Sequence, residues 1–140
     1  IVPTAWVFGI NGNNFVKTMV RLGKERDELA VVSDQFGSPT YTPDLAVLLV
    51  DMIVSDKYGT YHATNEGYCS WYDFASAIMT EAGLKAHVRP VSSEEYAAKA
   101  VRPKNSRLSK KSLDEAGFNR LPVWQDALKR YITELTRAAE

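Results

Sequence analysis

The chain has 140 residues, 45% of them apolar, and its 17 lysines and arginines balance 17 acidic residues, so the formal net charge is zero. That is about the length of one domain, with enough apolar material for a core, and cations spread along the chain exclude a nucleic-acid footprint or a polybasic membrane patch. The single cysteine, Cys69, excludes an internal disulfide and fits a reducing, cytoplasmic setting.

Ile1-Val2 opens on an apolar run with neither methionine nor a polar lead-in. Residues 1–140 are therefore expected to form a single C-terminal portion of a longer protein, starting inside a strand. No cysteine or histidine cluster has metal-ligand spacing, no apolar run is long enough to span a bilayer, and no signal peptide is recognisable.

Ile1 to Gly9 reads as a strand, and Asn11-Gly12-Asn13-Asn14 as a turn and helix cap. Phe15, Met19, Val20 and Leu22 mark one face of a helix running to about Arg26. Leu29 to Ser33 is a β-branched run of the kind that forms a buried strand. Asp34 to Ala46 then reads as a rigid loop entering a helix. Gly37 permits positive φ, Pro39 pushes Ser38 towards extended geometry, and Gln35, Thr40 and Tyr41 are expected to face outward. Thr42 is the expected cap, with Pro43 at the first helical position, Asp44 at the positive dipole end, and Leu45, Leu48, Leu49, Met52 and Ile53 at helical spacing.

Tyr58 to Thr64 alternates like a strand and ends at the turn Asn65-Glu66-Gly67. Ser70 caps a helix whose buried face is Trp71, Phe74, Ala75 and Ile78 and which stops at Gly83. Lys85 to Val91 is a strand, and Ser92 or Ser93 starts a helical turn carrying Tyr96 and Ala97. Ala100 to Arg107 is a basic second loop without periodicity. Ser109 to Ala116 is a short helix ended by Gly117, and Pro122 starts a last helix with Trp124, Ala127, Leu128, Tyr131, Ile132 and Leu135 at core spacing. Alternating strands and helices with a helical end define an α/β class.

Ligands in open α/β sheets bind at strand-to-helix loops. Trp6 ends a strand before such a loop, where its ring either stacks on a sugar or base or closes the core. Asn13 and Asn14 either cap a helix or offer amides to a phosphate. Arg102, stiffened by Pro103, is a phosphate clamp or a solvated surface arginine. His62 and His87 read as packing or solvent positions, and Cys69 as buried. There is no nucleophile elbow, P-loop or glycine-rich dinucleotide fingerprint, so this segment by itself does not read as catalytic.

Thr4-Ala5-Trp6-Val7-Phe8-Gly9, Asn13 to Met19, Val31 to Thr40 with its Asp34-Gln35-Phe36-Gly37-Ser38-Pro39-Thr40 run, Gly59 to Ala63, and Arg102-Pro103-Lys104-Asn105-Ser106-Arg107-Leu108 together resemble one known group. It is the C-terminal half of the dTDP-4-dehydrorhamnose reductase family, within the extended short-chain dehydrogenase/reductase superfamily. The resemblance covers nearly the whole chain. It implies a Rossmann-like α/β fold whose later strands complete a parallel sheet, followed by a mostly helical substrate-binding region. It also implies reduction of the 4-keto group of dTDP-4-dehydro-L-rhamnose by NADPH or NADH, in polysaccharide biosynthesis. The cofactor loop and the Tyr-x-x-x-Lys pair belong to the preceding half in that family.

Carried over by position, Trp6 resembles the tryptophan lining the deoxysugar, and Thr4 and Ala5 lie where the chain passes the nicotinamide. By analogy across the wider superfamily, Asn14 falls where related nucleotide-sugar enzymes place an asparagine near the pyrophosphate, Gln35 to Thr40 would border the nucleotide, and Arg102 resembles the arginine that clamps the pyrophosphate. Mg2+ is a further expectation, as is a homodimer, which would cover sheet edges left exposed without the preceding half. Pro3 departs from the family, which has arginine there, and removes a donor from an expected central strand. The rival readings are a non-catalytic relative, like the regulatory subunit of methionine adenosyltransferase, and a nucleotide-sugar epimerase or dehydratase.

Overall fold

The computed structural model describes residues 1–96 and 101–139; Ala97 and Ala100, expected in a helical turn and a loop, lie outside the described residues. The elements run β1 (Val7–Phe8), α1 (Phe15–Glu25), β2 (Glu28–Val32), β3 (Phe36–Gly37), β4 (Thr40–Tyr41), α2 (Thr42–Ile53), β5 (Cys69–Ser70), α3 (Trp71–Ala82), β6 (His87–Val91), α4 (Ser93–Tyr96), α5 (Lys111–Ala116) and α6 (Trp124–Ala138). Two ladders are parallel, β1 with β4 and β2 with β6, and the third, β3 with β5, is antiparallel. Among the described residues no helix is long and apolar enough to cross a membrane.

The helices begin and end for local reasons. Asn14 caps α1, its Oδ1 accepting from the Lys17 amide at 3.0 Å. Ser70 and Asp73 form a reciprocal capping box at the start of α3, and Gly83 ends that helix in the left-handed region at φ +67°. Gly117 ends α5 in the same way at φ +79°. At α2 the expected cap is one residue late: Tyr41 holds the cap position with extended backbone and no side-chain bond, and Pro43 is the second helical residue rather than the first, still within the first turn.

The strand expected over Ile1 to Gly9 is reduced to β1, and Pro3 explains why. The chain from Ile1 does run parallel to the segment after Gly59: the Ile1 ammonium donates to the Gly59 carbonyl at 3.1 Å, and the Ile1 and Pro3 carbonyls accept from the Tyr61 and Ala63 amides, each at 3.0 Å. A full parallel ladder also needs a donor at residue 3, returned to the Tyr61 carbonyl. Proline has none, so the pairing is one-sided and neither Ile1 to Ala5 nor Tyr58 to Thr64 forms a regular strand.

Two apolar clusters hold these pieces. The larger packs Phe8, Val16, Phe74, Ile78, Trp124, Leu128 and Tyr131 between α1, α3, α6 and the β1 ladder. Phe8 sits at its centre, with the Tyr41 and Tyr131 ring centroids both 5.2 Å away. The smaller, of Leu48, Ala63, Leu113 and Leu121, lies where α2 and α5 cover the Ile1 to Pro3 segment. Burying each such aliphatic or aromatic side chain contributes roughly 1.5–3 kcal/mol.

Candidate functional site

The loop from Asp34 to Tyr41 does not project as expected; it is clamped on both sides. Gln35 and Tyr41 are buried, and Thr40 is 0% exposed. The Thr40 hydroxyl donates to the Ala5 carbonyl at 2.7 Å and accepts from the Thr4 hydroxyl at 3.2 Å, which ties three of the singled-out residues together behind the surface. Tyr41 stacks in the core and donates to Glu134 at 3.0 Å; burial, then that carboxylate, pushes its hydroxyl up to about 12. Asp34 accepts from the Ser93 hydroxyl and amide, bonds that hold its carboxyl below the usual range, and Gln35 Nε2 donates to the same Ser93 hydroxyl at 3.2 Å.

Onto this frame the basic loop is laid as an extra strand-like edge. Phe36 donates to the Lys104 carbonyl at 2.8 Å and accepts from the Ser106 amide at 2.7 Å, while Lys104 Nζ reaches Asp34 at 3.7 Å. Arg102 therefore stands on an anchored loop, exposed, and it makes no hydrogen bond or ion pair with any described residue.

Trp6 lies at the other wall. Its φ is +50°, the left-handed region that side chains avoid. The Trp6 carbonyl accepts from the Thr40 amide at 3.0 Å, and its indole stacks on Trp71 at 3.7 Å between centroids and 20° between planes. Gly37 is under the same ring, where a Cβ would lie 2.9 Å from it. The expected positive φ at Gly37 is not observed; the glycine makes room for an indole.

Between these walls runs a groove with two ends. One recess of about 260 Å³ is lined by Trp6, Gln35, Trp71, Arg102, Pro103 and Ser106. The other, about 300 Å³ and mostly apolar, is lined by Phe15, Met19, Ala30, Val31, Val32 and Tyr96, and shares Gln35, Trp71 and Arg102 with the first. The structure thus brings Trp6, Gln35 and Arg102 together, sets Thr4, Ala5 and Thr40 behind them, and leaves Asn14 apart. Asn14 spends its amide on α1, the Gly9 carbonyl at 2.9 Å and the Tyr131 hydroxyl at 3.0 Å, and borders a separate hollow with Asn11 and Asn13.

Trp71 and Phe15 are groove residues that helical spacing assigned to packing faces, and Tyr96 is one that the sequence places only on a helical turn. The available signal was a tryptophan directly after a helix cap, at an element end rather than mid-face. Cys69 is buried as expected, and burial pushes its thiol up to about 12. Among the described residues no group of three or more His, Cys, Asp or Glu is gathered for a metal.

Short parallel ladders with packed helices and a groove at strand-to-helix loops define a Rossmann-like α/β fold of the extended short-chain dehydrogenase/reductase type. Within that class the chain belongs to the RmlD substrate binding domain family, whose profile matches residues 1–137. It is 47% identical, over its full length, to the spore coat polysaccharide biosynthesis protein SpsK of Bacillus subtilis, of which it covers 49%. Against dTDP-4-dehydrorhamnose reductase of Aggregatibacter actinomycetemcomitans it is 45% identical, with 92% of this chain and 48% of that protein aligned. The crystal structure of dTDP-4-dehydrorhamnose reductase from Bacillus anthracis, in complex with NADP, superposes with a TM-score of 0.92 at 50% identity, over 95% of this chain and 47% of that one. The chain spans about half the length of the curated relatives it matches.

Proposed function

We infer that this chain is the substrate-binding half of an NAD(P)H-dependent dTDP-4-dehydrorhamnose reductase, working in polysaccharide biosynthesis in a cytoplasmic setting. The observation that carries the reading is Arg102: a guanidinium without a partner among the described residues, held between an aromatic recess and an apolar one. A nucleotide sugar has the matching order of a sugar, a pyrophosphate and a base. Arg102 takes the pyrophosphate by charge-assisted, directional bonds. Trp6 meets the C–H face of the sugar, Gln35 supplies an amide at the junction, and the apolar recess beside Val31 and Val32 takes the base.

When bound, the nicotinamide cofactor supplies hydride to the ketone. This chain's part is to position the sugar and keep water from it. Thr4 and Ala5 border the cofactor side, and their bonds to Thr40 keep that wall fixed rather than offering free ligands. Mg2+ and homodimerisation belong to the same reading as expectations for the whole protein.

Calorimetric titration of the full-length protein with dTDP-L-rhamnose, with NADPH in parallel, tests this. The nucleotide sugar is expected to bind, and Arg102→Ala to weaken it by roughly 10-fold or more, the loss shrinking as salt rises. Failure of the wild type to bind the sugar nucleotide, or an Arg102→Ala affinity equal to wild type, would overturn it.

A further inference from the structure

Trp6 is the only described non-glycine residue with positive φ, so something must hold it there. Its backbone bond to Thr40 fixes the main chain but leaves the indole free to turn. The ring's angle is set by its neighbours: Gly37, close beside its Cε2 and Cζ2 atoms, and Trp71, stacked on one face at 3.7 Å. Trp71 is itself held from behind. It is the first residue of α3, directly after the Ser70 and Asp73 capping box, and Phe15 lies against it at 4.7 Å and 52°. Phe15 in turn stacks on Phe74, a core residue 1% exposed, at 5.6 Å. A rigid aromatic chain therefore connects the core to the one ring in the groove that is conformationally strained.

We propose that Trp71 is a positioning residue for the sugar end of the groove, acting through Trp6: its indole fixes the angle at which the Trp6 ring meets the sugar. This rests on the nucleotide-sugar reading above. A tryptophan serving only the fold would, when replaced, weaken every ligand alike. A positioning residue weakens the ligand that carries a sugar and affects the bare nucleotide much less. Its effect also vanishes once Trp6 is gone.

The test is calorimetry on the full-length protein with dTDP-L-rhamnose and with dTDP, for wild type, Trp71→Leu, Trp6→Leu and the double variant. Trp71→Leu is expected to lose about 10-fold for dTDP-L-rhamnose and less than about threefold for dTDP, and the double variant to match Trp6→Leu alone. Trp71→Phe keeps a ring between Trp6 and Phe15; should Trp71→Leu not fold, it is expected to lose about threefold for the sugar nucleotide and clearly less for dTDP. Equal losses for the two ligands, or losses that add in the double variant, overturn the positioning role while leaving the nucleotide-sugar reading intact. Wild-type protein that binds neither ligand overturns that reading, and this inference with it.

Discussion

Gly37 sets how closely Trp6 can approach the β3 backbone. A methyl group there would stand 2.9 Å from the indole, so the ring or the β3 backbone must shift. Gly37→Ala is expected to push the ring off its stack with Trp71. The cost is about 1–3 kcal/mol in stability, read from urea unfolding, with a parallel loss of dTDP-L-rhamnose affinity. Unchanged stability and affinity would mean that the stack has slack the geometry denies. This position also shows what a sequence reveals and what it hides. A glycine in a loop announces itself, yet its usual reason, positive φ, is not the operative one here. The reason is an indole from 31 residues upstream, invisible to any local pattern.

At the scale of elements, the helices were legible because their signals are local. Asn14, Ser70, Gly83 and Gly117 terminate helices where the residue types say they should. The strands were legible only where pairing is complete. β2 and β6 match over five residues, whereas Ile1 to Ala5 and Tyr58 to Thr64 lose regularity to the missing donor of Pro3. The groove was legible in part, through Trp6, Gln35 and Arg102, because loop residues with donors or rings stand out. Trp71 was hidden because apolar spacing assigns it to a helix face. That face begins at the capping box, so Ser70→Ala is expected to lower stability by about 1 kcal/mol, a Tm shift of roughly 3 °C. It should also loosen the N-terminus of α3 enough to weaken dTDP-L-rhamnose more than dTDP. A Tm shift with no change in the ratio of the two affinities would show that the first turn of α3 does not steer Trp71.

Across the whole molecule, the two apolar clusters are joined by polar groups rather than by a continuous core. Asn65, fully buried, accepts from the Tyr41 amide at 2.8 Å and donates to Asp44 at 2.8 Å and to the Pro122 carbonyl at 2.9 Å. Asp44 also accepts from both terminal guanidinium nitrogens of Arg130, at 2.7 and 2.8 Å, so α2 and α6 meet at one carboxylate, to which Asn65 ties the chain before α6. Burial pushes the Asp44 carboxyl up, but the bonds from Arg130 and Asn65 outweigh it and hold it below its ordinary value. The sign follows from linkage. An unfolded aspartate titrates near 3.9, so between that value and the lower folded one the unfolded chain binds more protons. The stabilisation is complete above about pH 5 and is lost as pH falls through the folded value. Asp44→Asn is expected to cost about 2 kcal/mol at pH 7, less than a fully buried pair because the Arg130 side chain is 40% exposed. Urea unfolding of wild type and variant at pH 7 and pH 3 checks this. The gap between them should narrow at the acid end, where the wild-type carboxylate is itself being protonated. An equal gap at both pH values would mean that shape, not charge, holds the two clusters together.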